Sequence, residues 1–249
     1  MKIFATYNIK GGVGKTSAAV NLAYLAANSG RRTLLWDLDP QGAATYVYQV
    51  KARVKHGGKA LITGKRPLDG AIRETAFELL DLLPADFDYR NMDLELDSAK
   101  KPTRRLARVL SSLEGTYDVV FLDCPPSISL VSENVMHAAD TLLVPIIPTT
   151  LSVRTLEQVE RFIDSFDGSR PSVLAFFSMV DGRKRLHRET MERLWRDRSD
   201  IASTTIPALS VVEQMTVRQA PVLVFAPKSQ PSLAYAQLWE EVVQRDGDR

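Results

Sequence analysis

Residues 8–16 read Asn-Ile-Lys-Gly-Gly-Val-Gly-Lys-Thr, between an apolar run over 3–7 and an Ala- and Leu-rich stretch over 16–29. That order predicts a strand, a tight glycine loop and a helix that stops at Gly30. Such a junction is built to receive phosphate. The glycines let the backbone curl so that successive N–H groups point inward, and the helix N-terminus adds its positive dipole end to the same spot. Lys15 is placed to reach terminal phosphates and the Thr16 hydroxyl to ligate Mg²⁺. A dinucleotide fingerprint does not fit, because after Gly12 and Gly14 its third glycine falls at Ser17.

The rest of the chain must supply a sheet around that loop. Strand-like runs are expected at 33–37, 79–83, 119–123, 141–147, 173–179 and 203–206. Helical spacing runs through 104–113, 152–166, 186–195 and 232–244. Near-continuous apolar strands alternating with helices predict one doubly wound, mostly parallel α/β sheet with helices on both faces. The crossovers should be right-handed. Residues 46–75 carry the least readable pattern. At 249 residues with 45% hydrophobic and 25% charged residues, the composition is ordinary for a globular chain, and disorder is excluded. The single Cys124 cannot form an internal disulfide, and with three scattered histidines a protein-built zinc site is not expected. No run approaches a spanning helix and no signal peptide is readable, so a cytoplasmic address is expected.

Two further strand ends carry acids. Residues 34–42 read Leu-Leu-Trp-Asp-Leu-Asp-Pro-Gln-Gly, which places Asp37 and Asp39 at the carboxyl edge of a sheet, where open α/β folds bind ligands. Residues 117–127 deliver Asp123 at the end of an apolar strand, followed by Cys124 and two prolines that stiffen the next turn. A carboxylate there accepts from a Mg²⁺-bound water or from the Thr16 hydroxyl. Cys124 reads as a small strand-end side chain.

The first glycine of the common phosphate-loop pattern would fall at position 9, which is Ile9, and an additional lysine, Lys10, precedes Gly11. In this the sequence resembles the deviant Walker A group, whose loop reads Lys-Gly-Gly-x-Gly-Lys-Thr, and the Asp-x-Asp-Pro-Gln-Gly form resembles its ParA branch. The resemblance continues through 133–140, 144–148 and 179–183, and covers roughly residues 1–245. It implies a single ParA-like P-loop ATPase domain over 1–249. It implies ATP and Mg²⁺ as cofactors. ATP would be held by Lys10, Gly11, Gly12, Val13, Gly14, Lys15, Thr16, Ser17 and Pro207. The metal would be held by Thr16, Asp37 and Asp123. The catalytic roles would fall to Lys10, which reaches the partner's nucleotide across a dimer, to Lys15, and to Asp39, which positions the attacking water. The segment 207–210 lacks the Arg-Asn that the family carries there, leaving the adenine contacts open.

Among the family's functions, an iron–sulfur dimer needs more cysteines than one. A membrane switch needs a basic amphipathic tail, and here residues 239–249 are acid-rich. A biosynthetic ligase would not explain Lys10 together with the Asp-Pro-Gln motif. The remaining reading is an ATPase that dimerises with ATP and binds DNA non-specifically. It positions a cargo (chromosome, plasmid or protein complex), and a ParB-like adaptor stimulates its hydrolysis, giving a nucleoid-associated state with ATP. The alternatives are a MinD-like membrane-associated regulator or a metallocentre-maturation ATPase. The net charge of +2 excludes a whole-protein basic field, but 183–198 holds seven Lys/Arg against three acids. Arg183, Lys184, Arg185, Arg188 and Arg218 are the candidate DNA contacts, with Arg193, Arg196 and Arg198 in the same cluster. A second basic run spans 51–66, with Lys51, Arg53, Lys55 and Lys59. An acidic stretch at 86–97 lies between the two runs. Only nine residues precede Lys10, so no helix-turn-helix domain and no operator-specific binding are expected.

Overall fold

The computed structural model describes residues 1–51, 61, 68–97, 102–166 and 170–247. Arg53, Lys55, Lys59, Lys65 and Arg66 of the second basic run lie outside the described residues.

Eight strands form one sheet among the described residues: β1 (Lys2–Thr6), β2 (Thr33–Asp37), β3 (Arg73–Glu74), β4 (Leu80–Leu83), β5 (Val119–Asp123), β6 (Thr141–Ile146), β7 (Ser172–Val180) and β8 (Ile201–Pro207). Their spatial order is β3-β4-β2-β5-β1-β6-β7-β8. Every pairing is parallel except that of β3 with β4. The expected doubly wound sheet is therefore present, with a short antiparallel edge added.

The strands read as continuous apolar runs because both of their faces are covered. Along β2, Leu34 and Trp36 enter one core while Leu35 enters the other, and along β5 Val120 and Leu122 alternate in the same way with Val119 and Phe121. The second core is closed by α1 (Lys15–Asn28) and by the last helix, Gln230–Gly247. There Phe121 stacks on Phe4, with ring centroids 5.5 Å apart, and Trp239 lies edge-on to Phe4 at 6.0 Å. The first core takes the helices α3 (Met92–Asp97), α4 (Arg105–Leu110), α5 (Leu130–Ala138), α6 (Thr150–Asp164) and α7 (Arg185–Asp197). The short α2 (Ala43–Val47) precedes β3. After β8 come α8 (Ser210–Arg218), α9 (Val222–Phe225) and the last helix, α10.

Register is what positions the site. Asp37 pairs with Asp123 across β2 and β5, and Thr6 pairs with Asp123 across β1 and β5. Three strand ends thus stand side by side at the carboxyl edge of the sheet, where the loop from β1 to α1 begins.

Leu22 lies at the centre of α1 and is fully buried in the second core. Leu22→Ala is expected to destabilise the chain by about 2–5 kcal/mol. Urea denaturation followed by circular dichroism reads this as a lowered midpoint at unchanged slope.

Candidate nucleotide site

The loop after β1 is shaped by its glycines. Gly12 and Gly14 have φ of 69° and 95°, in the left-handed region that L side chains rarely adopt. At Gly14 a Cβ would also come within 2.7 Å of Ser178 Oγ, so the helix start and β7 pack as closely as they do only with glycine there. Asn8, fully buried, ties the loop to the sheet: its amide donates to the Pro145 carbonyl at 2.8 Å and its Oδ1 accepts the Lys10 N–H at 2.9 Å. Helix α1 opens on Gly14 without a side-chain cap and without an acid in its first turn. Its free N–H groups and its dipole therefore face the loop.

Lys15 is buried, and its ammonium donates to the Lys10 carbonyl at 3.2 Å. Burial lowers its pKa, while Asp123, Cys124 and Asp39 oppose that shift. The Lys10 side chain is exposed, and Val13 is buried in the opposite sense, offering the loop only its backbone.

The carboxylates differ in what they can do. Asp37 is fully buried: one oxygen accepts both the N–H and the hydroxyl of Thr45, at 2.8 and 2.7 Å, and the other accepts the Asp39 N–H at 3.3 Å. Burial nevertheless pushes its pKa up to about 6. Asp123 is also fully buried. Its Oδ1 accepts the Thr6 hydroxyl at 3.3 Å, while its Oδ2 is buried without a hydrogen-bond partner. Burial, reinforced by Asp37 and Asp39, holds Asp123 well above the usual carboxylate range, against the Thr16 hydroxyl and the Lys15 ammonium. Asp39 is partly exposed, and its Oδ1 accepts the Gln41 N–H at 2.9 Å. Cys124 is buried, and burial raises its thiol pKa, so it stays protonated as a packing residue.

Of these groups Asp39 borders a cavity of about 460 Å³, while Asp37, Asp123 and Cys124 lie behind its lining. Gly11, Gly12, Gly14, Lys15, Thr16, Ser17 and Asp39 line it on the side of the phosphate loop. Ser178 and Met179 of β7, Pro207 of β8, residues 208–210 and helix α8 line the remainder. Its size suits a nucleotide. The donor set suits Mg²⁺ carried on phosphate: a hydroxyl, a buried carboxylate oxygen without a partner, and more acid than base. Among the described residues no three His, Cys, Asp or Glu side chains converge to hold a metal ion by themselves.

Several expected residues take different places. Lys10, Val13 and Asp123 do not line the cavity, and neither does Asp37, whose oxygens are engaged by Thr45 and the Asp39 N–H. Thr45 and Asn8 were not singled out by sequence reasoning, nor were Ser178 and the cavity-facing residues of α8. Thr45 borders the segment with the weakest pattern, and Asn8 could have been found only as a polar residue closing an apolar strand.

The basic candidates form two groups. Arg183 and Lys184 sit in the turn after β7, Arg185 and Arg188 in the first turn of α7, all exposed, and Arg218 ends α8. Arg183 pairs with Asp181 at 3.0 Å and Arg185 with Glu189 at 2.6 Å, both on the surface, where such pairs contribute little and yield readily to another anion. Arg198 departs from the cluster: its guanidinium turns inward onto Glu160 and Asp200, tying α6 to the start of β8.

Comparison with known proteins agrees with this geometry. The family model described as an AAA domain matches residues 1–175. The chain is 32% identical to the chromosome partitioning protein ParA of Caulobacter vibrioides, over 100% of this chain and 96% of that protein. It is 30% identical to the sporulation initiation inhibitor protein Soj of Bacillus subtilis, over 97% and 98%. Among solved structures, cobyrinic acid a,c-diamide synthase from Mycobacterium smegmatis with bound ADP and magnesium superposes with a TM-score of 0.83 at 26% identity, covering 98% of this chain and 94% of that one. The ATP complex of a single-residue variant of Cyanothece McdA shares the fold with a TM-score of 0.86 at 20% identity, covering 99% and 96%. The chain belongs to the ParA/MinD family of ATPases.

Charge on the buried acids opposes folding when no metal is present. A carboxyl whose folded pKa is raised loses stability as pH rises from the ordinary carboxylate range through its folded value, which for Asp37 is about 6. Asp123→Asn is therefore expected to melt higher than wild type at pH 7.5 in EDTA without nucleotide, with the gap closing near pH 4. A variant that melts lower at pH 7.5 contradicts this reading.

Proposed function

We propose that the protein is a Mg²⁺-dependent ATPase of the partitioning or positioning type. ATP joins two chains, the joined chains hold DNA without sequence preference, and a cargo-bound adaptor protein stimulates hydrolysis and release. The observation that carries the enzymatic part is one cavity lined by a glycine loop, a buried lysine, Thr16 and the partly exposed Asp39, with the partner-free oxygen of Asp123 buried behind Thr16 and Lys15. The relatives named as chromosome partitioning proteins, similar along the whole of this chain, support the rest.

The roles follow from placement. The backbone of 11–16 and the N-terminus of α1 hold the phosphates. Lys15 leaves the Lys10 carbonyl for them, which its buried and therefore weakly hydrated ammonium does at low cost. Thr16 and Asp123 face the metal side, and Asp37 acts at one remove, fixing Thr45 and the Asp39 backbone. Bound Mg²⁺ supplies neutralisation of the charge that builds on the transferred phosphoryl group. Asp39 lines the cavity and keeps one oxygen for the attacking water. Lys10, whose side chain is exposed, reaches the phosphates of a second chain. In a two-fold dimer that contact occurs twice. Pro207 lies against the base.

On the surface, Arg183, Lys184, Arg185 and Arg188 supply phosphate contacts. Two or three contacts per chain give about four to six per dimer, and a slope of log K against log salt of roughly −4 to −5 on duplex DNA. Fluorescence anisotropy on two unrelated duplexes tests this. Binding is expected with ATP and not with ADP, with equal affinity for both sequences, and with a slope flattened by about 2 in Arg185→Ala. Asp39→Ala is expected to stay on DNA after wild type has hydrolysed its ATP and left. DNA binding that ignores nucleotide, or none with ATP, contradicts the proposal.

A further inference from the structure

The cavity has one acid that neither the phosphates nor Mg²⁺ explain. Ser210, Glu213 and Thr216 all line it and, three residues apart on α8, share one face of that helix. Helix α8 follows β8, three strands from β1 in the sheet order, which is ~14 Å at ordinary strand spacing. Helix α8 packs beside the helix that the phosphate loop opens, Met215 accepting from the Asn21 amide at 3.3 Å, and its residues face the same cavity as the loop. At this end Ile206, Met215 and Tyr235 are buried and form an apolar wall for a flat ring, with Pro207 and Leu209 beside them.

Glu213 is different from that wall. It is exposed at the cavity rim, and among the described residues its carboxylate has no hydrogen bond or ion pair. An ionised carboxylate only accepts hydrogen bonds, through two oxygens. Adenine offers such a pair a mismatched edge, because the N6 amino group donates but the adjacent N1 accepts. The ribose 2′- and 3′-hydroxyls offer two donors side by side, and a base set against the buried apolar wall would leave them toward the exposed Glu213. We infer that Glu213 holds the ribose diol of the bound nucleotide and selects ribonucleotides, while the base is held by the apolar wall. The inference rests on the nucleotide reading of the cavity.

Calorimetric titration of ATP, 2′,3′-dideoxy-ATP and GTP, each with Mg²⁺, tests it on wild type, Glu213→Ala and Glu213→Gln. Wild type is expected to bind ATP at least about tenfold more tightly than dideoxy-ATP, the effect of losing hydrogen bonds to a charged group. Glu213→Ala should lose the same factor for ATP and nothing for dideoxy-ATP, with Glu213→Gln between. Three results overturn the inference alone: equal binding of ATP and dideoxy-ATP by wild type, a sugar preference that survives in Glu213→Ala, or a wild-type preference for GTP lost in Glu213→Ala, since guanine's N1–H and N2–H also suit a carboxylate. A wild type that binds none of the three overturns the nucleotide reading as well.

Discussion

Two carboxylates sit side by side in the interior of this molecule, and much of the rest is arranged around holding them there. Asp37 and Asp123 are register partners at the ends of β2 and β5, both fully buried. Burial raises the pKa of both, the charge of Asp37 raises that of Asp123 further, and Asp39 raises both. Thr45 satisfies one, Thr6 half-satisfies the other, and the remaining Asp123 oxygen is left without a partner. A group in that condition persists only where the fold over-determines it. Here the over-determination is a parallel sheet packed on both faces by helices.

The same sheet explains why the phosphate loop works as a unit with the acids. The β1 strand pairs with β5, so the loop that leaves β1 begins next to Asp123. Asn8 then pins that loop to β6 through the Pro145 carbonyl. Gly14 brings α1 against Ser178 of β7, which joins the loop to the far side of the cavity. Lys15 is the buried cation among these acids, and it is bonded to a neutral carbonyl. The site therefore holds excess negative charge beside a cradle of N–H donors. Mg²⁺ carried on a polyphosphate answers both halves at once: the metal meets the acids and the phosphates meet the donors.

Much of this was legible in the residue order, and the reason differs from place to place. The strands 33–37 and 119–123 match their observed bounds because each is a run of β-branched and apolar residues closed by an aspartate. The edge strand β3 has two residues and no period to read. The β8 strand runs from Ile201 to Pro207, longer than the expected 203–206 by the buried Ile201 and Ala202 at its start and by Pro207 at its end. Helix α8 escaped notice because only Met215 on it is buried, and with it went Glu213. The inward turn of Arg198 could not be read at all, since its partners Glu160 and Asp200 are brought to it by α6 and β8. Asp37 closes the strand and Asp39 lies two residues beyond it, and that step separates a sealed carboxylate from one that faces the cavity.

The central claim is that the buried acids and the phosphate loop form one receptor for a nucleotide carrying its metal. It is tested most directly by the affinity of the wild-type protein for ATP, measured by titration calorimetry in Mg²⁺ and again in EDTA at pH 7.5. The account predicts distinctly tighter binding with Mg²⁺, because metal-free ATP brings its phosphates toward Asp123 and Asp39 with Lys15 the one buried cation among the described residues there to offset them. Equal affinity in the two conditions, or tighter binding in EDTA, would contradict it.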